Sequence, residues 1–108
     1  YERQVRKALE EMDEKKKILL FSYSGHVSMS SEIANKFYFL YPEKIIIVAF
    51  KKPEKINVSI RGAGALDLTH GIVEKIEGAM GGGHEEATGA MIPVDKWEEF
   101  VGVVGDKA

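Results

Sequence analysis

Apolar residues recur along this chain in two rhythms. Val5, Ala8, Leu9 and Met12 fall at i, i+3, i+4 and i+7, which predicts a helix over residues 1–14 with Glu and Lys on its other side. Ile18-Leu19-Leu20-Phe21 is a short continuous apolar run and predicts a buried strand. It closes in the polar turn Ser22-Tyr23-Ser24-Gly25-His26. Serines 28, 30 and 31 offer N-cap oxygens to a helix that carries Ile33, Phe37, Leu40 and Tyr41 and stops at Pro42. Ile45–Phe50 is six apolar residues, four of them β-branched, the strongest strand pattern in the chain. After the polar turn 51–55, Ile56, Val58 and Ile60 alternate with Asn57, Ser59 and Arg61. That period of two predicts a hairpin whose second strand is half exposed.

Gly62 and Gly64 break this strand. Asp67 or Thr69 is placed to cap a helix whose inner face is Leu68, Ile72, Val73 and Ile76, ending near Gly78. Ala90-Met91-Ile92-Pro93 predicts a last short strand with proline at its end. Asp95 and Glu98 are spaced as a capping box before a helix that buries Trp97, Phe100 and Val101. The order is helix, strand, helix, strand, strand, helix, strand, helix. It defines an α/β (α+β) fold, a mixed β-sheet of about four to five strands covered by helices.

Composition narrows the class. At 108 residues with 44% hydrophobic content, the chain is one domain with a true core. It has no cysteine, which removes disulfides, thiolate metal sites and cysteine nucleophiles and fits a reducing compartment. No apolar run approaches the ~20 residues that span a bilayer, and no signal pattern opens the chain. A cytoplasmic location without a membrane partner is expected. The chain starts at Tyr1 inside a helical pattern, so residues 1–16 are expected to continue from an upstream domain and residues 17–108 to form the domain proper. Net charge is −2, against a generic nucleic-acid coat, but it is divided. Residues 1–60 carry 11 Lys and Arg against 8 Asp and Glu, and residues 61–108 carry 4 against 9.

The candidate chemistry gathers at Gly81-Gly82-Gly83-His84, continuing Glu85-Glu86-Ala87-Thr88-Gly89. Three adjacent glycines are costly to order unless bare backbone is needed. In a turn their N–H groups form an anion-binding concavity, and His84 adds a ring donor; an ordinary helix-to-strand turn has the same composition. Arg61 ends the alternating strand with Ser59 on the same face, placed for a guanidinium fork to meet a phosphate. The alternative is a surface arginine paired with a glutamate. His26 closes a second loop that either lines the same crevice or is simply exposed. The three histidines, His26, His70 and His84, show no metal-binding spacing. Glu85 and Glu86 would repel an anion unless they face away or meet lysines or another domain.

Ser59-Ile60-Arg61-Gly62, a following helix, and Gly81-Gly82-Gly83-His84-Glu85-Glu86-Ala87-Thr88-Gly89 resemble the C-terminal domain of the DHH phosphoesterases. Ser31-Glu32-Ile33-Ala34-Asn35 is similar to that domain's earlier helix, and Thr88 stands where alanine is common. The resemblance implies a substrate-binding domain of a RecJ-like exonuclease, an oligoribonuclease or a cyclic-dinucleotide phosphodiesterase. It implies an upstream DHH catalytic domain in the same chain that holds Mn2+ or Mg2+, and no cofactor bound by these 108 residues. Gly81, Gly82, Gly83 and His84 would form the phosphate cradle and Arg61 its clamp. The partner would be single-stranded DNA or RNA, or a small nucleotide. Asp-His-His is missing from this sequence, so the domain is not expected to hydrolyse anything alone. A noncatalytic nucleic-acid-binding or replication scaffold module, and the related domain of alanyl-tRNA synthetases, are the other relatives this pattern implies.

Overall fold

A computed structural model of the protein describes Arg3, residues 17–25 and residues 28–107. His26 and, apart from Arg3, the helix expected over residues 1–14 lie outside the described residues. Strand β1 (Ile18–Ser24) leads into helix α1 (Ser30–Leu40), followed by β2 (Ile45–Lys51) and β3 (Lys55–Arg61). Helix α2 (Ala65–Lys75), β4 (Met80–Gly83), β5 (Ala87–Pro93), a 3-10 turn (Val94–Lys96) and α3 (Trp97–Lys107) complete the chain. The strands make one five-stranded sheet in the order β1-β2-β3-β5-β4. Only β1 and β2 are parallel, joined across α1; the other neighbours are antiparallel. This is the expected mixed sheet covered by helices, an α+β fold.

The sheet is buried on both faces where the sequence is continuously apolar. Ile46, Ile47, Val48 and Ala49 of β2 have no exposed surface, as a central strand between two layers requires. On one face Leu19, Phe21, Tyr23, Ile46, Val48 and Phe50 pack with Ile33, Ala34 and Phe37 of α1. On the other, Ile47, Ile56, Val58, Ile60, Ala90 and Ile92 pack with Leu68 and Ile72 of α2 and Phe100 and Val104 of α3. Period-two alternation in β3 follows from this. Its isoleucines and Val58 enter the second core, while Asn57, Ser59 and Arg61 turn toward α1. Helix α1 packs chiefly on β2 and β3, so among the described residues no helix covers the β5–β4 end of the sheet on its face.

Local expectations fail at three places, each for a physical reason. The glycine run is not a turn: Met80–Gly83 is an edge strand paired with β5. The starts of α1 and α2 use no side-chain caps. Met29 and Gly64 hold the cap positions of α1 and α2 without a side-chain hydrogen bond. Ser30 and Ser31 are turned to the sheet instead, and Thr69 lies fully buried inside α2. Its hydroxyl lies 2.8 Å from the Ala65 carbonyl, to which it donates, and 2.6 Å from the Thr88 hydroxyl. In the last segment Asp95 belongs to the 3-10 turn, which has no side-chain cap. Val101 is 39% exposed, and Val104 takes the inward place beside Phe100.

Candidate functional site

Strand register lines up the candidate residues. Ser59 of β3 pairs with Gly89 of β5, and Gly89 with Gly82 of β4. Directly opposed residues share a face, so Ser59, Gly89 and Gly82 form a row across the sheet on the side of α1. Arg61 and Ala87 pair one step further along. Next to Arg61 the open part of this face is thus floored by two glycines and an alanine, with Met91 and the exposed Met80 at its far end. A Cβ at Gly82 would meet nothing within 4 Å.

Gly81 and Gly83 look the other way. A Cβ at Gly81 would lie 2.7 Å from the Gly89 carbonyl oxygen, and one at Gly83 only 2.6 Å from that of Ala87. These two are glycine because the neighbouring backbone leaves no room. Their amides are a separate matter. His84 donates to the Ala87 carbonyl at 2.9 Å and Ala87 returns a longer bond of 3.4 Å. Hydrogen-bonded pairs alternate along an antiparallel ladder, so the next such pair is Gly82 with Gly89. The N–H groups of Gly81 and Gly83 therefore point off the open edge of β4. The three amides do not converge in a concavity; two of them line an edge.

Arg61 sits at the end of this floor, half-buried and tied down. Its Nε donates to Asn35 Oδ1 at 2.7 Å, and one terminal nitrogen, Nη1, donates to the carbonyls of Ile60 and Thr88 at 2.9 and 3.0 Å. The other terminal nitrogen, Nη2, has no partner among the described residues. Burial lowers the Arg61 pKa from its ordinary value, though a guanidinium stays protonated in proteins. Ser59 is buried and donates to Ser30 Oγ at 3.1 Å, with Ser31 Oγ 3.5 Å away. His84 is exposed at the end of β4.

Two contributors were not visible beforehand. Asn35 and Tyr38 project from α1, and Tyr38 donates its hydroxyl to Glu86 Oε2 at 3.3 Å. Partial burial, then the Glu86 carboxylate, push the Tyr38 phenol up. A signal existed: Ser31, Asn35 and Tyr38 are spaced i, i+4, i+7, an uncharged polar row on a helix that also exposes Glu32 and Lys36. Glu85 turns aside to line a separate depression of about 260 Å³ with Gly64, Leu66 and Asp67. Among the described residues no three His, Cys, Asp or Glu side chains gather as metal ligands. No described helix is long and apolar enough to cross a membrane.

A family model for the DHHA1 domain matches residues 14–108. The chain belongs to the DHHA1 domain family. Solved structures agree on the fold. RecJ from Thermus thermophilus in complex with Mg2+ superposes with a TM-score of 0.76 at 18% identity, covering 95% of this chain and 16% of that one. Exonuclease RecJ bound to manganese gives 0.75 at 19%, covering 95% and 26%. The C-Ala domain of Aquifex aeolicus alanyl-tRNA synthetase gives 0.60 at 20%, covering 81% of this chain and 87% of that domain. No curated protein sequence matches. This DHHA1 domain therefore spans about a sixth to a quarter of the RecJ chains it matches.

Proposed function

We propose that this DHHA1 domain holds the phosphate of a nucleotide, or of a single-stranded DNA or RNA end, for an adjoining DHH catalytic domain of a phosphodiester hydrolase. Arg61 carries this reading. Three of its hydrogen bonds fix the guanidinium to α1, β3 and β5, while Nη2, without a partner among the described residues, keeps its donors at the edge of a floor of two glycines and an alanine. A fixed guanidinium loses little freedom when it binds, so its hydrogen bonds to an anion are pre-organised. Gly82 and Gly89 let a ligand lie against backbone. The outward N–H groups of Gly81 and Gly83 and the ring of His84 are further donors at the open edge, and the Ser59 hydroxyl lies in line with the floor.

Mn2+ or Mg2+ belongs to the catalytic domain in this reading. The described residues offer no ligand set for a metal, so no hydrolytic step is assigned to them. Residues 17–108 act as the substrate-gripping half of a cleft, and affinity in isolation is correspondingly weak.

The test is an amide and guanidinium NMR titration of this protein at low salt, with a 5′-phosphorylated oligonucleotide and a cyclic dinucleotide in parallel. Saturable shifts centred on Arg61 and Gly81–His84 are expected. The ligand that saturates first ranks nuclease against cyclic-dinucleotide phosphodiesterase. Shifts scattered over the lysines would reduce the site to nonspecific charge and overturn the proposal.

A further inference from the structure

Glu86 precedes Ala87, the register partner of Arg61. Its carboxylate and the Arg61 guanidinium both reach α1, and closing on one another there would occupy the clamp. They do not close. Among the described residues no ion pair joins Arg61 to a carboxylate. Glu86 Oε2 instead accepts the hydroxyl of Tyr38, and Arg61 Nε is taken by Asn35. Asn35 and Tyr38 lie three residues apart on α1, on the same side of the helix. The Glu86 and Glu85 carbonyls also accept N–H bonds from Gly62 and Leu66, which seats the turn against the β3–α2 connection.

Resting on the phosphate reading of Arg61, we propose that Asn35 and Tyr38 are positioning residues that hold Arg61 and Glu86 apart. Tyr38 turns the Glu86 carboxylate toward itself through Oε2 and Asn35 orients the guanidinium, so that the outer edge of Arg61 stays open to a phosphate. Glu86 is then an internal competitor held in check rather than a ligand-binding group. The sequence alone raised the difficulty of acidic residues beside an anion site. The Tyr38–Glu86 bond turns Glu86 toward α1, and Glu85 faces a separate depression.

Three variants and one probe test this. The probe is a 5′-phosphorylated dinucleotide titrated at low salt, read by calorimetry and by the Arg61 Nε–Hε resonance. Tyr38→Phe keeps the ring and frees Glu86, whose pairing with Arg61 the ligand must then displace. Exposed ion pairs are weak, so affinity falls about two- to fivefold. Glu86→Gln binds at least as tightly as the parent, and Tyr38→Phe/Glu86→Gln recovers the parent affinity. In Tyr38→Phe without ligand, the Arg61 resonance moves; adding Glu86→Gln moves it back. A loss in Tyr38→Phe that Glu86→Gln fails to restore would make Tyr38 a plain structural contact and overturn the inference, as would unchanged binding in Tyr38→Phe. A parent protein whose Arg61 signal ignores the probe would overturn the phosphate reading itself, a different result from either.

Discussion

Three adjacent glycines invite three identical substitutions with three different outcomes. Gly83→Ala puts a Cβ 2.6 Å from the Ala87 carbonyl oxygen and 2.9 Å from the Thr88 Cα, at a φ of +147°. Neither neighbour is a flexible side-chain end, and the backbone angle disfavours an L residue. Overpacking and the strained φ together cost about 2–4 kcal/mol, which lowers the melting temperature by roughly 10 °C or more. Gly81→Ala meets the Gly89 carbonyl oxygen at 2.7 Å and Ala90 Cβ at 3.0 Å, without a φ penalty, and costs about 1–3 kcal/mol. Gly82→Ala meets nothing, so stability stays within about 0.5 kcal/mol of the parent. Its methyl group nevertheless stands on the floor beside Gly89, where a ligand would lie, and phosphate-ligand affinity falls by about tenfold. Thermal unfolding followed by circular dichroism gives the order of stability, and titration of the folded Gly82→Ala gives the binding. Equal melting temperatures for Gly82→Ala and Gly83→Ala would refute the assignment of faces. Unchanged binding in a folded Gly82→Ala would remove the floor from the site.

Other substitutions separate the parts of the site. His84→Ala leaves the melting temperature unchanged, because the turn is held by the backbone of residue 84, yet weakens phosphate binding; equal affinity would exclude the imidazole. Arg61→Lys loses about tenfold or more in affinity, since an ammonium cannot hold Asn35 and the two carbonyls while meeting a phosphate. Equal binding in a titration would make Arg61 an ordinary surface charge. The buried Thr69–Thr88 pair predicts an asymmetry measurable by denaturant unfolding. Thr69→Val strands the Thr88 hydroxyl and costs about 1–3 kcal/mol, whereas Thr88→Val leaves Thr69 its bond to Ala65 and costs less; replacing both is closer to neutral. A double variant worse than either single would contradict this.

What the chain disclosed in advance followed the strength of its side-chain pattern. Ile45–Phe50 and the Ile56-Val58-Ile60 alternation named their strands because burial on two faces, or on one, leaves a distinct spacing. β4 left none. Three glycines carry no hydrophobic period, and their extended conformation is imposed by pairing with β5. Thr69 looked like a cap for a related reason: its hydroxyl does bond backbone, but to Ala65 within the helix, and Thr88 across the core completes it. Of the candidate site, Ser59 and Arg61 were legible as members of one face, whereas the alignment of Gly82 with them was not, and the concavity expected of the glycines was not formed. Asn35 and Tyr38 were missed because their role depends on which strand α1 crosses, a fact of topology that helical spacing does not contain.

The division of the sheet into two faces has an evolutionary consequence. On the side of α2 and α3, nearly every inward position is committed to holding the domain together. Beyond α1, the opposite side at β3, β5 and β4 supports little besides itself. Substitutions at Gly82, Gly89, Ala87 or Met91 reshape that surface at small risk to folding. If that surface binds the ligand as proposed, selection is free to retune there what is gripped while the scaffold stays constant.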